Sequence, residues 1–208
     1  MTMRLTLHTF LTLDGVMQAP GGPDEDRDSN FEYGGWSFPF GDQDFGVAMS
    51  GWFEHASAFM LGRRTYQIFA SHWPKVTDPS DPVASKLNAL PKYVASSTLQ
   101  SVDWDNSTLL GGDVPAEVGK LKERPGDELQ VHGSSELAQT LIEHDLIDEY
   151  RLLFFPVHVG SGKKLFRDGA RAAGLRLVGS SVTSTGVIIA TYQPAGPVQL
   201  GSYALADS

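Results

Sequence analysis

The chain has 208 residues, 41% hydrophobic and 20% charged, and its 16 basic against 25 acidic side chains give a formal charge of −9. That balance predicts one soluble compact domain and argues against nucleic acid or an anionic membrane as the main partner. With no cysteine, disulfides, thiolate metal sites and a cysteine nucleophile are excluded; with no apolar run of membrane-span length and an alternating Met1 to Leu13, the expected compartment is the cytoplasm.

Arg4 to Thr12 alternates, with Leu5, Leu7, Thr9 and Leu11 on one face and Thr6, His8, Phe10 and Thr12 on the other, which predicts a strand. From Gly15 to about Gly41 the chain is rich in Gly, Pro and Asp, yet carries Phe31, Tyr33, Trp36, Phe38 and Phe40. So long a loop with so many aromatic rings is expected to pack over something flat. Its acidic cluster, Asp24 to Asp28, reads as solvated.

Asp42 to Ala56 predicts a helix with Phe45, Met49, Trp52, Phe53 and Ala56 inward. Ala58 to Tyr66 then reads as a buried strand that stops at Gly62, followed by Arg63, Arg64 and Thr65 and a helix carrying Tyr66, Phe69 and Trp73. At such a turn the first helix amides lack intrahelical partners and lie at the positive end of the dipole. Two arginines beside them make an anion cradle, best suited to phosphate. Asp81-Pro82 caps a short helix, and strands follow at Lys92 to Ser96 and Ser107 to Leu110. Pro115 to Lys122 is helical. Glu128 to His132 is a strand that stops at Gly133, after which Ser134 is expected to cap a helix carrying Leu137, Leu141 and Ile142. This second strand–Gly–helix junction repeats the physics of the first. Glu149 to Val159 is apolar and interrupted by Pro156, which predicts a position near a sheet edge or a bulge. Leu175 to Ser181 and Val187 to Tyr192 pair as a closing hairpin. Residues 1–193 form the domain and 194–208 a weakly ordered tail.

The expected class is α/β, with a mostly parallel sheet and an antiparallel edge. No Gly-x-Gly-x-x-Gly follows any strand, Gly162-Lys163 lacks the rest of a P-loop, and the six histidines show no metal-ligand spacing, so no metal site is expected.

Six ordered blocks carry a resemblance: Thr12-Leu13-Asp14-Gly15, Leu61 to Tyr66, Lys92 to Leu99, Val131-His132-Gly133-Ser134, Leu146 to Leu152 and Pro156 to Gly162. Together they resemble the reductase domain of riboflavin biosynthesis, within the dihydrofolate-reductase-like superfamily, over about Arg4 to Tyr192. The resemblance implies a three-layer α/β/α sandwich. It implies an NADPH-dependent reductase acting on a small heterocyclic or imine substrate, such as 5-amino-6-(5-phosphoribosylamino)uracil. A dihydrofolate or pterin reductase, or a regulatory module that binds NADP(H) without turnover, are the alternatives. Gly62, Arg63, Arg64 and Thr65 are implied to hold the adenosine-side phosphates, Ser96 and Ser97 the 2′-phosphate, and Gly133, Ser134, Ser135 and Glu136 the pyrophosphate. Many relatives have Arg where this chain has Ser97. Gly15 is implied to lie beside the nicotinamide, Asp14 is the first candidate for substrate or proton contact and Asp44 the second, and Trp36 is expected to cover the substrate ring. The resemblance, with the apolar stretch Leu152 to Val159 read as an exposed edge, implies a homodimer. The zinc deaminase of bifunctional relatives needs a cysteine-containing site that this chain lacks.

Overall fold

The computed structural model describes residues 1–203. Its strands are β1 (Arg4–Thr12), β2 (Ala56–Gly62), β3 (Lys92–Ala95), β4 (Ser107–Leu110), β5 (Glu128–His132), β6 (Glu149–Phe155), β7 (Leu175–Val182) and β8 (Ile188–Pro194). The helices are α1 (Gln43–Glu54), α2 (Arg63–His72), α3 (Pro82–Ala89), α4 (Val114–Lys122) and α5 (Ser135–Glu143). The strands make one sheet in the order β4-β3-β2-β5-β1-β6-β8-β7. Pairings from β4 to β6 are parallel, and β6–β8 and β8–β7 are antiparallel, as the sequence pattern predicts. No helix among the described residues is long and apolar enough to cross a membrane.

Alternation along the strands decides which helices cover which face. Leu5, Leu7 and Leu11 of β1 share a core with Ala58 and Met60 of β2, Leu129 and Val131 of β5, and residues of α4 and α5. On the other face, Phe59 and Leu61 pack with Phe53 of α1, Tyr66 and Phe69 of α2 and Leu87 of α3. This is the expected three-layer sandwich.

Two elements differ from their sequence reading. β6 lies between β1 and β8, with Leu152, Leu153 and Phe155 buried, so the apolar stretch is not an exposed edge. Pro156 follows the last paired residue, where its missing N–H removes no ladder bond. Among the described residues the edge strands are β4 and β7, and β7 is exposed at Leu177, Val178 and Val182. Ser134 does not cap α5 with its side chain. It adopts φ +60°, and its hydroxyl donates to the His132 carbonyl while accepting from the Gly62 amide.

The C-terminal segment begins pinned: Ala195 donates to the Gly174 carbonyl at 2.8 Å, and Gly174 to that of Gly196 at 2.7 Å. Residues 204–208 of the expected tail lie outside the described residues.

Candidate functional site

The two glycine junctions predicted from sequence are neighbours, because β2 and β5 are adjacent and end at the same edge of the sheet. Gly62 donates its amide to Ser134 Oγ at 3.0 Å, and a Cβ built on Gly62 would lie 3.4 Å from the Ser134 Cβ. A methyl there would touch Ser134 at van der Waals distance, so the two loops are already in contact. Gly133 has φ +54°, and a Cβ there would meet only Thr65 Oγ1, at 3.9 Å. The space above Gly133 is therefore open and lined by Thr65.

Helix ends distinguish this edge from the rest of the molecule. Asp42, Asp81 and Asp113 cap α1, α3 and α4 by accepting hydrogen bonds from first-turn amides. The ends of α2 and α5, which meet at the two glycines, have no side-chain cap. Their first amides, at Arg63 to Thr65 and Ser135 to Glu136, are the free positive ends of two dipoles.

Alongside these junctions, β3 is followed by Ser96, whose Oγ accepts from the Thr98 and Leu99 amides at 3.2 and 3.0 Å. Arg63 crosses from α2 to donate to Thr98 Oγ1 at 3.1 Å, which places the guanidinium beside Ser96 and the exposed Ser97. Arg64 points elsewhere. It pairs with Asp26 at 2.9 Å and Asp28 at 2.6 Å, and Lys163 pairs with the same two carboxylates at 2.6 and 2.7 Å. The acidic cluster is thus not merely solvated: Asp26 is buried, because two cations from distant segments neutralise it. The Lys163 ammonium, then Arg64, outweigh partial burial and hold the Asp28 carboxyl below its usual range. Glu136 pairs with Arg167, and that hydrogen bond lowers its carboxyl.

At the end of β1, Asp14 accepts from Thr12 Oγ1 at 2.6 Å, the Gly160 amide at 2.7 Å and the Val159 amide at 3.2 Å. Burial acts to raise its carboxyl, but the bonds from Thr12, Gly160 and Val159 outweigh it and keep Asp14 below the ordinary carboxylate range. Gly15 turns the chain with φ +80°. Asp44 accepts from the Ser184 amide at 3.0 Å, and Asp42 accepts from Ser184 and Thr185, so both tether α1 to the β7–β8 turn. The Phe45 amide is the first of the bonds that bring the Asp42 carboxyl down to about 2. Trp36 is buried, edge-on to Phe155 at 5.3 Å, with Nε1 donating to the Gln18 carbonyl at 2.7 Å.

A buried polar stripe beneath α1 escapes residue-by-residue reading. His8 stacks on His132 at 4.6 Å, and His132 stacks on Phe53 at 4.8 Å. Arg151 donates to Glu128 at 2.5 and 3.1 Å, and Gln130 joins Glu128 to His132. Burial, then the Arg151 charge, pushes the His132 imidazole down to about 3, and burial with His132 and Arg151 also lowers His8. The available signal was polar residues at every second position, Thr6-x-His8 and Glu128-x-Gln130-x-His132, on strands too central to face water. Two clefts, of about 310 Å³ beside Trp104 and about 470 Å³ beside Arg4 and Asp148, lie away from the glycine junctions.

Comparison with known proteins agrees with this geometry. Residues 4–189 match the model of the RibD C-terminal domain. The uncharacterized protein YyaP of Bacillus subtilis (strain 168) is 28% identical over 191 residues, covering 91% of this chain and 94% of YyaP. A protein from Shewanella sp. PV-4, provisionally assigned to riboflavin biosynthesis, superposes with TM-score 0.66 at 22% identity over 93% of this chain and 99% of its own. The diaminohydroxyphosphoribosylaminopyrimidine deaminase/5-amino-6-(5-phosphoribosylamino)uracil reductase of Thermotoga maritima superposes with TM-score 0.60 at 15% identity, over 93% of this chain and 57% of its own. These superpositions establish the fold, while the family match spans both glycine junctions and all of β1 to β7, and it ends at Ile189, the second residue of β8. The chain therefore belongs to the RibD C-terminal domain family, the reductase-like family of riboflavin biosynthesis.

Proposed function

We propose that the protein is an NADPH-dependent reductase that delivers a hydride to a small heterocyclic or imine substrate, an aminouracil-type pyrimidine being the class that the Thermotoga relative suggests. The observation that carries this reading is the pair of uncapped helix ends. The three helices outside the site are capped by aspartate, and α2 and α5 have no side-chain cap where they converge. Free amides at two converging dipoles, with open space over Gly133, suit a pyrophosphate. In this reading Gly62 to Thr65 and Gly133 to Glu136 hold the phosphates, and Arg63 with Ser96 and Ser97 takes the phosphate on the adenosine ribose.

Bound NADPH supplies the hydride. The protein's part is positioning and exclusion of water. Asp14, held deprotonated, serves as an acceptor that fixes the Val159–Gly160 loop against the end of β1, with Gly15 at the nicotinamide. Asp44 holds α1 in place through Ser184, and the loop carrying Trp36 covers the substrate ring. A second copy of the chain is proposed to associate along β7, whose exposed Leu177 and Val182 leave an unprotected edge. We place the protein in the cytoplasm.

NADPH titration followed by tryptophan fluorescence, and loss of reduced-nicotinamide absorbance with a panel of pyrimidines, pterins and imines, test the reading. Tight binding with turnover of one class is expected. Absence of NADPH binding overturns it, and binding without turnover across the panel favours a regulatory module.

A further inference from the structure

Arg64 and Lys163 come from segments far apart in sequence, yet they grip the same pair of carboxylates. Each aspartate bridges both cations, so the four side chains close a neutral ring. The ring is built into the fold. Gln18 Nε2 donates to the carbonyls of Asp26 and Asp28, and Gln18 Oε1 accepts the Lys163 amide. Asp26 Oδ1 accepts the Asp28 amide, and Met17 donates to the Lys163 carbonyl. Asp26 is 7% exposed, unlike the partners of an ordinary surface ion pair. The ring sits on the first turn of α2, whose end has no side-chain cap. Two carboxylates therefore occupy a cation that extends from an anion-attracting helix end.

We infer that Asp26 and Asp28 act as an internal stand-in for ligand phosphate, occupying Arg64 in the ligand-free chain and yielding it when a phosphorylated nucleotide binds. This rests on the nucleotide-binding reading above. The exchange is isoelectric at Arg64, since one oxyanion replaces another, so it proceeds without leaving a buried charge bare. Asp26 remains neutralised by Lys163. It couples nucleotide binding to the Gly15 to Gly41 loop: taking Arg64 from the ring removes one of the two cations that hold the segment carrying both aspartates, which shares its loop with Trp36. Among the described residues Arg63 makes no such pair and its side chain donates to neutral Thr98, so the two adjacent arginines divide the work. Arg63 stands ready for the first phosphate and Arg64 is released second.

The test compares NADPH and NADH affinities, by calorimetry, of wild type, Asp28→Asn and the Asp26→Asn/Asp28→Asn double variant, with melting curves to confirm folding. Asp28 is the more exposed aspartate, so its single variant reports even where the double variant is unstable. The inference expects NADPH to bind both folded variants at least about fivefold more tightly than wild type. An equal gain for NADH shows that Arg64 reads the pyrophosphate, and a gain confined to NADPH shows that it reads the ribose phosphate. Either supports the exchange. Unchanged or weaker NADPH binding by folded Asp28→Asn overturns it and leaves the ring as a structural clamp, with the nucleotide reading intact. No NADPH binding by any of the three proteins overturns the nucleotide reading itself.

Discussion

The amide of Gly62 donates to the hydroxyl of Ser134 across 3.0 Å, so one strand–glycine–helix junction completes the hydrogen bonding of the other. The two loops are consequently one unit, and a change in either reaches both.

Gly133→Ala separates cradle from scaffold. Its φ of +54° makes alanine unfavourable by about 1–2 kcal/mol, yet the new methyl enters open space and not packed atoms. A melting temperature lowered by a few degrees is expected, with NADPH affinity reduced by more than about tenfold because the methyl stands over the α5 amides. Equal losses of stability and affinity would place the nucleotide elsewhere.

Arg63→Ala tests cofactor choice. The guanidinium is exposed and held by one side-chain hydrogen bond, so folding stability should not change. A charge-assisted bond to phosphate contributes about 1.5–3 kcal/mol, so the preference for NADPH over NADH should fall by about tenfold to a hundredfold. Competition titrations with both nucleotides read this directly, and parallel losses for the two would make Arg63 structural.

Acid should loosen α1. His132 and His8 are neutral in the fold because burial and Arg151 oppose a second positive charge, and the counter-charges on that face, Glu128 and Glu149, already pair with Arg151. Their folded pKa values lie below the unfolded value, so the unfolded chain takes up protons first. The stability His132 contributes is complete above about pH 6.5 and is lost as pH falls toward 3, by about 1.4 kcal/mol per pH unit, and His8 acts in the same direction. Melting curves from pH 7 to 4 should drop steeply, and His132→Gln should flatten that slope. An unaltered slope would assign acid sensitivity to other groups.

The β7 edge is expected to hold a second copy. Leu177 is 51% and Val182 65% exposed on a strand with no outer neighbour among the described residues. Light scattering at micromolar concentration should give a dimer for wild type and a monomer for Leu177→Lys/Val182→Lys. A monomeric wild type refutes the interface.

Much of this was legible in the sequence because it is written in local chemistry. Alternation placed β1, Asp81-Pro82 announced α3, and Gly62 and Gly133 marked the two junctions. What sequence could not give was the pairing of distant charges. Asp26 looks like any loop carboxylate until Arg64 and Lys163 are brought to it, and Pro156 suggests an edge until β6 is seen to end just before it. His8 and His132 follow the same rule, since only the strand order makes them neighbours.

The position of β1 governs when the protein can assemble. It precedes the other seven strands in sequence, yet it pairs on one side with β5 and on the other with β6, and Arg4 waits for Glu128, 124 residues downstream. During synthesis this central strand has no strand to pair with until Glu128 to His132 have been made. Contacts so distant in sequence slow the search for the native state, and fragments ending before β5 lack the frame that would hold β1. Assembly is therefore a late event, triggered when the second glycine junction arrives and the cradle and the middle of the sheet close together.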